Sequence, residues 1–305
     1  MALGEHHRPD YAIASTEVVL AALATVTRRI KLASGVTVLS SADPVKVYQD
    51  YATLDLLSGG RAEIIAGRGS FTESFPLYGY DLGNYEELFS EKLDLLLTLN
   101  RSERVTWKGK YRPPLVQQEI HPRPKDGREL PVWIAVGGTP ASVHRAAVLG
   151  LPMILAIIGG MPVQFKDLVD YYKETYSGSG HSSGNLQLGV HSHAFIAPSG
   201  AALLGDYFPS YAAQMDRVGR SRGWAPYTRM QFEAGMSPRG ALFMGEPQQV
   251  ADKILQVSEL FGLTRFVAHM DVGDPGHAGM MRSIELFGTE VVPVVKKALG
   301  NTPRK

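Results

Sequence analysis

A strand–helix–strand unit over residues 31–75 restricts this chain to folds with parallel strands. Residues 31–39 (KLASGVTVL) are apolar and β-branched, as a buried strand requires. Asp43-Pro44 supplies an N-cap and then a proline at the first helical position, where its missing N–H costs nothing. The helix is predicted to reach Leu57 and to stop at Ser58-Gly59-Gly60, because glycine takes the left-handed C-cap readily. A second apolar strand, residues 62–66, ends in Gly67-Arg68-Gly69-Ser70. Two buried strands joined by one helix run parallel, since a hairpin turn cannot make that crossover. Ligands of such sheets bind at the carboxyl ends of the strands, here residues 39–43 and 67–71.

The same alternation continues along the chain. Strands are predicted at residues 2–5, 31–39, 62–66, 131–136, 152–158, 186–197 and 264–270. Helices are predicted at 16–29, 44–57, 84–99, 139–149, 163–176, 201–219, 248–261 and 280–299, the third opened by a capping box at Asn84-Tyr85-Glu86-Glu87. Residues 105–111 read as a short hairpin about Lys108-Gly109, 112–130 as a Pro- and charge-rich connection, and 220–239 as irregular. A run of βα units defines a parallel α/β fold, either an open doubly wound sheet or a closed barrel. No repeat or linker divides the chain, and 305 residues with 44% hydrophobic composition suffice for a single domain with one large core. Seven strands are counted where a closed (β/α)8 barrel needs eight. The chain also starts inside a strand, so the first βα unit is expected to be missing in front of Met1.

Composition removes several functions. A net charge of +1 gives no reason to expect nucleic acid or an anionic membrane as partner. The absence of cysteine excludes disulfides, thiolate metal sites and cysteine nucleophiles. The longest apolar run, residues 151–158, is far shorter than the ~20 residues of a membrane span, and MALGEHHRPD has no signal-peptide pattern. A soluble cytoplasmic protein is the expectation.

Two groups of residues could carry chemistry. Val136-Gly137-Gly138-Thr139-Pro140-Ala141-Ser142 is a strand end, a glycine turn and a helix start, where N–H groups, hydroxyls and the helix dipole can hold a phosphate. Arg68, flanked by glycines, ends another strand. The same glycines could equally make tight turns, with Thr139 as a simple N-cap. No Walker loop and no G-x-G-x-x-G is present. His191-x-His193 sets two imidazoles on one strand face, and with Asp271 they could form a metal site of the barrel-hydrolase kind, or line a wall and hydrogen-bond there. No G-x-S-x-G elbow supports a serine hydrolase.

At Glu5-His6-His7, Val38-Leu39-Ser40-Ser41-Ala42-Asp43-Pro44-Val45, residues 54–61, Gly67-Arg68-Gly69 and Gly150-Leu151-Pro152-Met153-Ile154-Leu155, the sequence resembles the bacterial luciferase-like flavin-dependent monooxygenases. The matches are collinear from Leu3 to Ile158, and the second half fits more loosely. The resemblance implies a (β/α)8 TIM-type barrel that binds reduced FMN at its C-terminal face, often as a homodimer. By it, the seven strands are the second to eighth. It implies an oxidoreductase that activates oxygen with reduced flavin, supplied by a flavin reductase or by NAD(P)H, and acts on a small organic substrate. Related barrels use a deazaflavin coenzyme for hydride transfer instead, and a non-catalytic flavin-binding relative is a third possibility. Carried onto this chain, Arg68, Gly137, Gly138, Thr139 and Ser142 surround the flavin phosphate. His6 is the active-site histidine, Gly35-Val36 the place of a non-prolyl cis peptide, and Ala66, Ser70 and Ile157 line the ring pocket. Two positions depart from the family's namesake: Gly138 replaces an acidic residue, and Glu86 stands in place of an arginine near the phosphate. Light emission is therefore not expected.

Overall fold

The computed structural model describes residues 1–69, 71–220 and 222–300. The chain divides into two compact units, Met1–Ala135 and Val136–Lys305.

The first unit runs β1 (Ala2–Leu3), α1 (Thr16–Val26), β2 (Leu32–Ser34), β3 (Thr37–Val38), α2 (Pro44–Ser58), β4 (Ala62–Gly67), α3 (Ser74–Leu77), α4 (Tyr85–Arg101), β5 (Arg104–Trp107), β6 (Leu115–Glu119) and β7 (Val132–Val136). β1 pairs with β2, β2 and β3 with β4, and β4 with β7, all in parallel. The expected start and stop of α2 are both present: the Asp43 carboxylate accepts from Val45 N and Lys46 N, at 2.9 and 3.2 Å, and Gly59 closes the helix at φ 71°. Its buried face carries Val47, Tyr48, Tyr51, Ala52 and Leu54, against α1 and α4. Arg61 then pins the start of β4 to the end of α1, donating to Thr27 Oγ1 at 2.9 Å and to Ala24 O at 3.0 Å.

The single strand expected at 31–39 is instead two. Leu32 is opposite Ala62 but Thr37 is opposite Ala66, so five residue steps on one side span four on the other. The extra residue is taken up at Gly35-Val36, as in a bulge, and this peptide bond is cis. The hairpin is also larger than expected: Arg104 is opposite Glu119, so its return arm lies at Leu115–Glu119, inside the supposed connection. Pro113-Pro114 cannot donate to a ladder, which delays the return strand until after them. The expected capping box at Asn84 does not form. Its Oδ1 accepts from Tyr111 OH at 3.0 Å instead.

The second unit runs α5 (Pro140–Val148), β8 (Met153–Ala156), α6 (Lys166–Gly178), β9 (Leu188–Ile196), α7 (Gly200–Ala202), α8 (Phe208–Arg220), α9 (Arg229–Met236), β10 (Phe243–Gly245), α10 (Pro247–Phe261), β11 (Arg265–His269), α11 (Gly276–Leu286) and α12 (Val292–Gly300). β9 is its spine: β8, β10 and β11 all pair with it in parallel, and all its residues but His191 are buried. One π turn joins α7 to α8 and another joins α11 to α12, so each long helix read from the sequence persists with a widened turn. The stretch expected to be irregular, 220–239, contains α9, whose Thr228 cap accepts from Gln231 N. Strand β10 was outside the sequence expectation as well; three residues are too short to show a period. Both are tied to α10 by buried Lys253, whose ammonium donates to the carbonyls of Gly235, Ser237 and Leu242 at 3.1, 2.8 and 2.6 Å. Among the described residues no helix is long and apolar enough to cross a membrane.

Candidate functional site

In the first unit, the loop after β1 carries His6. Its ring packs on Tyr11, with centroids 4.0 Å apart, and edge-on against Phe71 at 4.8 Å. Its Nδ1 faces Glu73 Oε1 at 3.5 Å, and the same oxygen accepts the His7 N–H at 3.3 Å. Burial lowers the pKa of His6, and the Glu73 carboxylate opposes that shift. The result is a neutral imidazole oriented through one nitrogen. Glu5 accepts from the Val38 N–H at 3.1 Å and faces His7 Nε2 at 3.0 Å, which ties the end of β1 to β3.

Arg68 follows β4. It forms an ion pair with Glu86, in the first turn of α4, and lies over the Tyr85 ring at 5.0 Å. Tyr85 OH donates in turn to Gly69 O at 2.7 Å. The residue that departs from the family pattern is therefore the partner of the cation expected at the phosphate. Gly67 is held against Val36: a Cβ built on it would stand 2.7 Å from Val36 Cγ2. Ala66 is fully buried within β4, opposite Thr37 and Ile134. Gly35 is exposed and Val36 half-buried. Ser70 lies outside the described residues.

In the second unit, Gly137 and Gly138 lead from β7 into α5, with Gly138 at φ 107°, a conformation suited to glycine. Thr139 occupies the N-cap, yet its side chain makes no cap bond. Ser142, in the first turn, is 3% exposed, and its Oγ has no hydrogen-bond partner among the described residues. An orphaned buried hydroxyl costs about 1–3 kcal/mol, so it marks a place where a ligand acceptor or donor repays the loss. A phosphate suits it, since N–H groups and the positive end of the helix dipole share that turn. Ile157, past β8, is fully buried; its N–H donates to His191 O and its carbonyl accepts from Ser192 Oγ, both at 2.8 Å.

His191, His193 and Asp271 do come together, around a residue the sequence reading passed over. The His269 ring lies 5.0 Å from that of His191 and 5.1 Å from that of His193, and His269 Nε2 is 2.9 Å from Asp271 Oδ1. His193 Nδ1 pairs with Tyr211 OH at 2.9 Å. Burial pushes the His191 pKa down to about 3, and burial with its neighbouring imidazoles takes His193 well below the usual range. Among the described residues no three His, Asp or Glu groups are arranged to hold a metal ion, so nothing in the geometry favours the hydrolase alternative.

Three further residues escaped the sequence reading. Glu73 sits in a stretch with no recognisable pattern, and Tyr85 was read only as part of a capping box. Lys92 left a trace: it is the one charge among Leu88, Phe89, Leu93, Leu95 and Leu96 on the buried face of α4. It is 2% exposed, donates to Ser40 O at 2.7 Å and sits 3.8 Å above the Tyr80 ring, and burial lowers its pKa to about 8.

Parallel strands with intervening helices, and candidate groups just beyond the carboxyl ends of β1, β4, β7 and β8, define an α/β protein of the barrel-enzyme kind. Residues 1–264 match the family model described as luciferase-like monooxygenase, and the chain belongs to that family. Solved structures share its fold. The monooxygenase RslO1 from Streptomyces bottropensis superposes with a TM-score of 0.81 at 22% identity, over 96% of this chain and 87% of that one. The oxygenating constituent of 3,6-diketocamphane monooxygenase from Pseudomonas putida, in complex with FMN, gives 0.76 at 19% identity, over 97% and 88%. The coenzyme F420 dependent tetrahydromethanopterin reductase from Methanopyrus kandleri gives 0.72 at 19%, over 96% and 90%. The fold is thus the luciferase-like TIM-type barrel class read from the sequence.

Proposed function

We propose that this chain is a flavin-dependent monooxygenase that takes reduced FMN and O2 to an organic substrate. The observation that carries the reading is the buried Ser142 hydroxyl in the first turn of α5, which has no partner among the described residues and lies beside the Gly137-Gly138 turn and the Thr139 N-cap. Family membership and a structural neighbour in complex with FMN support it. Thr139 and Ser142 are assigned to the phosphate. The resemblance also assigns Arg68, whose guanidinium is paired with Glu86, to the phosphate. Reduced flavin supplies the electrons that activate oxygen, delivered by a reductase partner or by NAD(P)H. This chain's own part is to bind and orient the ring, to keep water out, and to hold a proton at His6, whose Glu73 contact fixes the imidazole. Association as a homodimer belongs to the same reading, and sedimentation of the purified chain tests it.

The deciding experiment is equilibrium binding of FMN, riboflavin and a deazaflavin coenzyme to the wild type and to Ser142→Ala. FMN is expected to bind at least tenfold tighter than riboflavin, with that preference largely lost in the variant. Equal affinities for FMN and riboflavin in the wild type overturn the phosphate assignment. A second reading, deazaflavin-dependent hydride transfer, is supported by structural neighbours that use coenzyme F420, at 18–19% identity. Tight deazaflavin binding without flavin-dependent oxygen uptake selects it. Bound FMN without turnover selects a non-catalytic relative.

A further inference from the structure

The imidazole cluster of the second unit has no part in the flavin contacts assigned above. In the β9–β11 ladder His193 is opposite His269, and His191 is opposite Val267. Side chains alternate along a strand, so His191, His193 and His269 share one face of the ladder. His269 ends β11, at the carboxyl end where parallel α/β folds place their ligands. The Asp271 carboxylate engages His269 Nε2 at 2.9 Å, which leaves Nδ1 as the ring nitrogen still to be satisfied. That Nδ1 is shielded from solvent and has no hydrogen-bond partner among the described residues. His191 is half-buried, its ring is in contact with the His269 ring, and that ring makes no hydrogen bond to a described residue. Two adjacent imidazoles therefore present hydrogen-bonding nitrogens that no described residue meets.

Charge decides what such a patch can hold. With a pKa of about 3, His191 carries a proton in only about 1 in 10⁴ molecules at pH 7. A carboxylate or phosphate would meet the uncharged His191 ring here and the negative Asp271 nearby. A hydroxyl is the better match. It donates and accepts at once, as neutral imidazoles do, and brings no charge to desolvate.

We propose that His191 and His269 bind the hydroxyl group of an uncharged alcohol or phenol, with His193 and Tyr211 positioning them from behind. Calling that molecule the enzyme's organic substrate rests on the monooxygenase reading. The binding itself does not, so it is tested without flavin.

The test uses the full chain without cofactor, titrated with phenol and with benzoate at pH 7. The imidazole nitrogen resonances are followed by NMR in the wild type, His191→Phe and His191→Asn. Phenol is expected to shift the His191 and His269 signals and to bind at least tenfold tighter than benzoate. His191→Phe should lose roughly tenfold in phenol affinity, about one hydrogen bond, and His191→Asn should recover part of it. Benzoate binding as well as phenol overturns the proposal without recourse to any variant. So does phenol that leaves the rings unshifted up to its solubility limit, or equal phenol affinity in His191→Phe. A parallel FMN titration separates the two ideas. Lost FMN binding with selective phenol binding sinks the flavin reading alone, and the converse sinks only the hydroxyl site.

Discussion

Arg68 and Ser142, both proposed here for the flavin phosphate, stand in opposite states in the structure. In residues 1–135 the charged candidates have found one another: Arg68 pairs with Glu86, His6 faces Glu73 and His7 faces Glu5. In residues 136–300 the candidates for the phosphate, Thr139 and Ser142, are uncharged, and among the described residues polar atoms are left over at Ser142 Oγ and His269 Nδ1. A partly exposed ion pair is worth only about 0–1 kcal/mol, so Arg68 can trade Glu86 for another anion at little cost. A buried hydroxyl without a partner has nothing to trade and gains the whole of a new hydrogen bond. The first region is therefore built to exchange partners, and the second to acquire them.

The widest separation between the two regions should come from turnover. His6→Ala is expected to lower flavin-dependent oxygen uptake about 10²–10⁴-fold, with Glu73→Gln costing less, while FMN affinity stays within a few-fold. A His6→Ala enzyme of normal rate would remove the first region from the chemistry. Acid should then strike the second region harder. The His191 pKa falls from 6.5 to about 3 on folding, so the folded chain binds fewer protons than the unfolded one in that window. The stability involved is complete above pH 6.5 and is lost as pH falls toward 3, on the order of a few kcal/mol. Urea midpoints across pH 7 to 4 should fall less steeply for His191→Asn than for the wild type; parallel slopes would contradict the burial argument.

Ser142→Ala makes a crossed prediction. Removal of the orphaned hydroxyl should stabilise the cofactor-depleted protein by about 1 kcal/mol while FMN binding weakens roughly tenfold. Thermal unfolding with and without FMN reads both, and a variant less stable without FMN would show that the hydroxyl already has a partner. The smallest effect belongs to Glu86→Gln, which removes one anionic partner of Arg68 and should tighten FMN binding only a few-fold, most clearly at low salt. No gain at any ionic strength would mean that Arg68 does not reach the phosphate.

Legibility in the sequence followed length and periodicity. Asp43-Pro44 and Gly59 announced both ends of α2 because capping is local chemistry, decided within four residues. The long apolar strand β9 was equally plain, whereas β10 and α9 sit among Pro, Gly and Trp and are held by Lys253 from a distant helix. The glycine turn before α5 was visible as an anion-ready end. That Arg68 is paired with Glu86 was not, since no rule of spacing joins residue 68 to residue 86. The same holds for His269, which looked like an ordinary strand residue until β11 was laid beside β9.

The meeting of Gly67 with Val36 constrains how this chain can drift. Any side chain at 67 would need the volume that the valine methyls fill, so the two positions can change only in concert. Gly67→Ala alone should be defective, and Val36→Gly introduced with it should restore much of the loss. Descendants of this sequence are thus expected to inherit the two residues as a pair, a linkage that a collection of relatives would display as covariation.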